Sequence, residues 1–217
     1  MVICESQNFN FLRIPKNASS SLSEFFVRNY CTQDDIFTEV NDCGIPSHNV
    51  PQELIRKYAD KYRFIHLTLQ ELIDNNMLTR EKAHSMQNIG VLRNPYERQL
   101  SLYFFLKRGQ PKDVNEFRDI MKNGCYDTDP SNKILQTDYV SIDGEDVADW
   151  WIYENINDKL TEFVKSKGIW RNELLKNHKG TYTPKDPEIM DKFYDQKTRD
   201  AVRKYYEKDF EKYESLK

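Results

Sequence analysis

One local pattern occurs twice along the chain: a short apolar run, a basic residue at its end, and a helix start directly after it. In the first copy, Asn8-Phe9-Asn10-Phe11-Leu12-Arg13-Ile14 alternates polar and apolar residues, as a half-buried strand does. Pro15 ends the run and Lys16 opens a short polar loop. Ser21-Leu22-Ser23-Glu24-Phe25-Phe26 then begins a helix, with Leu22, Phe25 and Phe26 on one face and serines just ahead of them as N-caps. In the second copy, Gln87-Asn88-Ile89-Gly90-Val91-Leu92 is too short for a helix and suits a buried strand. Arg93 follows, Asn94 can cap, and Pro95 can sit in the first turn of a helix that runs to Lys107. Strand–loop–helix units in series pair in parallel, with their helices packed on the sheet faces.

The remaining segments extend that plan. A helix is predicted from Pro51 to about Tyr62, then a short strand over Tyr62-Arg63-Phe64-Ile65-His66-Leu67. Thr68 caps a helix beginning at Leu69, with Glu71 at the capping-box position. Further along come a helix over Val114–Lys122, a hairpin or edge strand at Tyr139–Ile142 and a strand at Trp150–Tyr153. An amphipathic helix from Asn157 to Lys167 is closed by Gly168, and a long helix covers about Thr198–Leu216. The predicted fold is a single α/β domain over residues 1–217: a P-loop-like, three-layer arrangement with a central parallel sheet of about four or five strands flanked by helices.

A chain of 217 residues can enclose a sizeable core, which its 13 Tyr, 12 Phe and 3 Trp would largely fill. With 32 basic against 35 acidic residues, the net charge of −3 argues against a nucleic-acid partner while permitting a local basic pocket for a small anion. Cys4, Cys31, Cys43 and Cys125 share no metal-ligand spacing, so no metal is expected; scattered thiols fit a reducing compartment, and Cys31 with Cys43 is the pair able to bridge in an oxidising one. No stretch approaches the ~20 apolar residues that span a membrane, and no leader pattern is present. A cytoplasmic protein with no membrane partner is expected.

Lys16-Asn17-Ala18-Ser19-Ser20-Ser21 has the chemistry of an anion cradle. Backbone N–H groups at a helix start point outward at the positive end of the dipole, three hydroxyls add donors, and Lys16 adds a full charge. The same residues also suit a serine-capped helix with an exposed lysine. The nucleotide-triphosphate loop GxxxxGK[ST] is absent. At the second strand end, Arg93 offers a planar fork suited to phosphate, and Ser101 lies two turns into the helix; a structural salt bridge is the competing role for Arg93. Between the two, His66 can accept a proton near neutral pH. His48, in Pro46-Ser47-His48-Asn49, is the rival base.

Ile14-Pro15-Lys16-Asn17-Ala18-Ser19-Ser20-Ser21-Leu22 resembles the 5′-phosphosulfate loop of carbohydrate-type sulfotransferases that use 3′-phosphoadenosine-5′-phosphosulfate (PAPS), a Pro-Lys-x-Ala/Gly-Gly/Ser-Thr/Ser-Ser-Leu pattern. Ser19 stands where glycine is frequent and Ser20 where threonine is. Arg93-Asn94-Pro95-Tyr96-Glu97-Arg98-Gln99-Leu100-Ser101-Leu102-Tyr103 resembles that family's 3′-phosphate segment. The resemblance implies a compact, anchorless enzyme of microbial or viral type that moves a sulfuryl group from PAPS to an acceptor hydroxyl on a glycan or small compound, leaving PAP and needing no metal. It assigns Lys16 and residues 17–21 to the 5′ end of the donor, Arg93 and Ser101 to the 3′-phosphate, and His66 to the general base. Trp150-Trp151-Ile152-Tyr153-Glu154-Asn155 and Tyr206-Glu207-Lys208-Asp209-Phe210 resemble the family's later segments, and Lys179 in the late loop would add a phosphate contact. A P-loop-like nucleotide-binding protein or small-molecule kinase is the alternative reading, although no magnesium-holding carboxylate pattern accompanies the loop.

Overall fold

A computed structural model describes residues 1–40, 44–58, 61–125, 133–168 and 188–217. They fall into two compact units: Met1–Leu92 with Gln136–His178, and Arg93–Leu135 with Lys179–Lys217.

The first unit is built on a five-stranded sheet of β1 (Val2–Cys4), β2 (Phe9–Phe11), β3 (Ile36–Phe37), β4 (Gln87–Leu92) and β5 (Ala148–Ile152), in the order β3-β1-β2-β4-β5. β2, β4 and β5 run parallel, with Phe11 opposite Ile89 and Gly90 opposite Trp150, as the repeated strand–loop–helix pattern requires. β1 and β3 add an antiparallel edge to them. The α/β layering expected from the sequence is therefore present, with the parallel part confined to three strands. The segment at 141–146 is the expected hairpin, Ser141–Ile142 against Glu145–Asp146.

The period of two along the strands sorts the side chains onto two faces. On one face Val2, Cys4, Phe9, Phe11, Ile89, Val91 and Trp151 meet Leu22, Phe25 and Phe26 of the Ser19–Asn29 helix and Leu160, Phe163 and Val164 of the Ile156–Ser166 helix. Phe26 lies at the middle of a ring cluster, 5.1 Å from Phe9 and 6.1 Å from Trp151. The other face is partly polar. Asn10 donates to Asn88 at 2.8 Å, and Asn88 donates to the Ala83 carbonyl of the Arg80–Ser85 helix at 2.7 Å. Gly90 is required here by close approach: a Cβ on it would lie 2.6 Å from the Trp150 ring and 2.8 Å from Val140.

Three expectations fail in this unit for local reasons. The helix expected from Pro51 to about Tyr62 ends at Lys57, where Tyr58 leaves helical geometry. Lys61–Phe64 is a helical turn and not a strand, so His66 lies in a turn and not at a strand end. The N-cap of the Ser19–Asn29 helix is Ala18, with the serines inside the first turn. The Thr68 capping box forms as predicted: Thr68 accepts from the Glu71 N–H and Glu71 accepts from the Thr68 N–H.

The second unit is helical among the described residues: Pro95–Leu106, Val114–Lys122, Ile189–Phe193, Gln196–Tyr205 and Glu207–Ser215. They enclose Leu100, Tyr103, Phe104, Phe117, Met121, Phe193, Val202, Tyr206 and Phe210. The single long helix expected over Thr198–Leu216 is broken at Tyr206, whose backbone leaves helical geometry while its ring is buried and its hydroxyl receives the Gln99 amide at 2.8 Å. The Cys43 and Lys179 expectations lie outside the described residues.

Candidate functional site

The chain leaves β2 through buried Leu12, Arg13 and Ile14, turns at Pro15, and enters the Ser19–Asn29 helix at Ser19. Within that turn Lys16 and Ala18 both have positive φ, 68° and 58°, without a glycine between β2 and the helix. A left-handed conformation costs a non-glycine residue roughly 1–2 kcal/mol, so neighbouring contacts must impose the shape. Asn17 supplies them: its buried side-chain amide donates to the Val91 carbonyl and to Gln136 Oε1, each at 2.6 Å. The side chain of Asn17 is thus directed into the protein, and its backbone N–H is what it can offer a ligand. Left-handed residues between right-handed ones curve successive N–H groups into a concave nest. Ala18 has no oxygen with which to cap, so the first-turn N–H groups receive no side-chain acceptor from the N-cap. The arrangement suits an anionic group: half-buried Lys16 directly precedes the N–H groups of a helix start, where negative charge is stabilised.

His66 is brought to the same strand end. Its ring is buried, and Nδ1 is hydrogen-bonded to the Arg13 carbonyl, three residues before Lys16. A carbonyl only accepts, so Nδ1 carries the proton and Nε2 is the basic nitrogen. The backbone beneath the ring is fixed by a polar knot. Arg63 donates to the His66 carbonyl at 2.6 Å and pairs with Glu71, the acid that closes the capping box. His48 is placed differently. It bridges Phe37 through its backbone, stacks on that ring at 5.2 Å, and engages the Gln33 carbonyl through Nε2 at 2.8 Å. That histidine anchors the edge of the sheet.

Arg93 and Ser101 belong to the second unit. Asn94 caps their helix by accepting from the Tyr96 N–H at 3.0 Å, with Pro95 in the first turn as predicted. Arg93 donates through Nε to Glu97, one turn on, at 3.3 Å. Ser101 is buried on the same helix. Tyr103, at the end of the predicted phosphate motif, has a structural role instead: its hydroxyl bonds the Asp113 carbonyl at 2.9 Å and Glu116 at 3.0 Å, and burial pushes its pKa up to about 12.

The amino-acid sequence matches the model of a sulfotransferase family over residues 1–140. This chain belongs to the sulfotransferase family. The match includes Lys16, His66, Arg93 and Ser101, and so contains both basic strand ends. Neither the curated proteins nor the solved structures include a match to this sulfotransferase. Its activity is the transfer of a sulfuryl group, and among the described residues no helix is long and apolar enough to cross a membrane.

Sequence reasoning missed three groups that shape the site. Gln136 lies 119 residues from Asn17, and no local pattern pairs them. The Arg13 carbonyl is backbone and leaves no residue signature. The pattern around Arg63 predicts a strand, which hides its link between His66 and Glu71.

Proposed function

We propose that this sulfotransferase moves a sulfuryl group from PAPS to an acceptor hydroxyl on a carbohydrate, releasing PAP. The observation that carries the reading is the glycine-free nest at Lys16–Ala18, with the His66 ring tied to the strand that leads into it.

PAPS supplies a sulfuryl group already activated by its anhydride link to the 5′-phosphate. Lys16, the N–H groups of residues 17–21 and the hydroxyls of Ser19, Ser20 and Ser21 meet the negative charge that grows on the bridging oxygen as the old S–O bond breaks. His66 Nε2 takes the acceptor's proton as the new S–O bond forms, and the Arg13 carbonyl steadies the resulting imidazolium through Nδ1–H. Arg93 and Ser101 hold the 3′-phosphate, where a bidentate guanidinium contact adds both energy and register. A cytoplasmic setting belongs to this reading, supported by the free thiols of Cys4, Cys31 and Cys125.

Calorimetric titration with PAP tests the donor assignment. Wild type is expected to bind at micromolar concentration, and Lys16→Ala and Arg93→Ala each to weaken binding at least tenfold. Absence of micromolar PAP binding by the folded wild type defeats the proposal, as does undiminished, wild-type affinity in both variants.

A further inference from the structure

The fold gathers three ligand-type side chains far from the Lys16 loop in function but close in space to one another. Cys4 ends β1, Cys31 follows the Ser19–Asn29 helix, and Asp35 precedes β3. The two Sγ atoms and a carboxylate oxygen of Asp35 all lie within 4.8 Å of one another, and Cys4 Sγ is 3.7 Å from Asp35 Oδ2. In a tetrahedral zinc site, sulfur at ~2.3 Å and oxygen at ~2.0–2.2 Å from the ion stand about 3.5–3.8 Å apart. Ser6 Oγ completes the group, 3.5 Å from Cys4 Sγ and 2.8 Å from Asp35 Oδ2.

We propose that Cys4, Cys31 and Asp35 form a binding site for one thiophilic divalent cation of the zinc class. Two thiols and a carboxylate that converge on one point would repel one another once ionised, and a bound cation reverses the sign of that interaction. Asp35 is already ionised. Burial opposes its charge, but the Thr32 N–H at 2.7 Å and the Ser6 hydroxyl and N–H overcome it and hold its pKa below the ordinary value. Those donors are the outer hydrogen bonds that orient a ligating carboxylate. The hydrogen bond that Cys31 donates to the Cys4 sulfur, with burial, pushes the Cys31 thiol far up, while the same contact lowers Cys4. Binding therefore releases thiol protons and tightens as pH rises. Cys4 is fully buried and Cys31 half-buried, which gives the ion an approach from the Cys31 side.

The experiment is titration of the reduced, metal-free full chain with Co²⁺. Expected are one ion per chain, sulfur-to-cobalt charge-transfer absorption with intense visible bands of a four-coordinate ion, and displacement of both by Zn²⁺. Cys31→Ser should halve the charge-transfer intensity and weaken binding at least tenfold, whereas Cys125→Ser should change neither. A measurement on wild type alone covers the case of a misfolded variant: Zn²⁺ should protect Cys31 from alkylation, read by peptide mapping. No stoichiometric Co²⁺ uptake, unaltered spectra in Cys31→Ser, or Cys31 alkylated equally fast with and without Zn²⁺ each overturns the proposal. Recovery of a Cys4–Cys31 disulfide in place of metal uptake does the same.

Discussion

Replacing the Asn17 amide by a carboxyl of the same shape isolates what holds the nest in place. In wild type the Asn17 Nδ2 group donates to two acceptors, the Val91 carbonyl and Gln136 Oε1, both at 2.6 Å. Asn17→Asp puts an oxygen where that donor stood, at a side chain only 1% exposed. The new carboxyl cannot ionise beside two carbonyl-type oxygens, so it stays protonated and keeps at most one donor. Holding an acid with an unfolded pKa of about 3.9 protonated at pH 7 costs about 4 kcal/mol, at 1.36 kcal/mol per unit. One acceptor left unmatched in the interior adds about 1–3 kcal/mol. The total, on the order of 5–7 kcal/mol, rivals the whole stability of an ordinary domain. Asn17→Ala leaves both acceptors unmatched but introduces no charge, at about 2–6 kcal/mol and with no dependence on pH. The sign with pH is distinctive: the folded-state pKa of the new acid is raised, so its penalty grows as pH rises above 3.9. Asn17→Asp should be about 2.7 kcal/mol worse relative to wild type at pH 7 than at pH 5. Urea unfolding followed by tryptophan fluorescence at the two pH values reads this directly. If the deficit of Asn17→Asp is the same at both pH values, then the amide does not donate as described.

Other outcomes follow from equally local features. Gly90→Ala should cost about 1–3 kcal/mol in thermal or urea unfolding by overpacking, since Asp146 accepts from Trp150 Nε1 at 2.9 Å and keeps the ring from swinging away. His66→Ala should lower turnover about 10²–10⁴-fold with PAP affinity within a factor of three, while His48→Ala should leave turnover within that factor; the reverse ranking would make His48 the base. The Asp35 carboxylate has a folded pKa below its ordinary 3.8, so its stabilisation is complete above pH 3.8 and is lost as pH falls through the lower folded value. The stability gap between wild type and Asp35→Asn should accordingly shrink on acidification below that pH, as circular dichroism melts at stepped pH would record.

What the sequence disclosed and what it hid divide along the reach of the interactions. The two strand–loop–helix passages, the Asn94 cap and the Thr68–Glu71 capping box were legible because each is decided by residues within a few positions of one another. Six residues such as Tyr62–Leu67 carry too few repeats to distinguish a period of two from one of 3.6, and the chain there takes a helical turn. β1 is three residues long and reaches its place only by pairing with Phe9–Phe11 and Ile36–Phe37. Ala18 carries no capping signal because caps are recognised by their oxygen; here the turn is set by Asn17, whose partners lie 74 and 119 residues away. For the same reason Cys4 and Cys31 have no motif spacing, and their juxtaposition emerges only in the fold.

The nest at Lys16–Ala18 has a consequence for how quickly a ligand is captured. Its two left-handed residues hold their shape through Asn17, so no loop must order itself around an arriving anion. Encounter is then governed by diffusion and by the long-range pull of a lysine at a helix start, a pull that dissolved salt weakens. A glycine-built loop achieves the same curve by being permissive. This one achieves it by being braced, and under the proposed function its selectivity for anions would be set before the donor arrives.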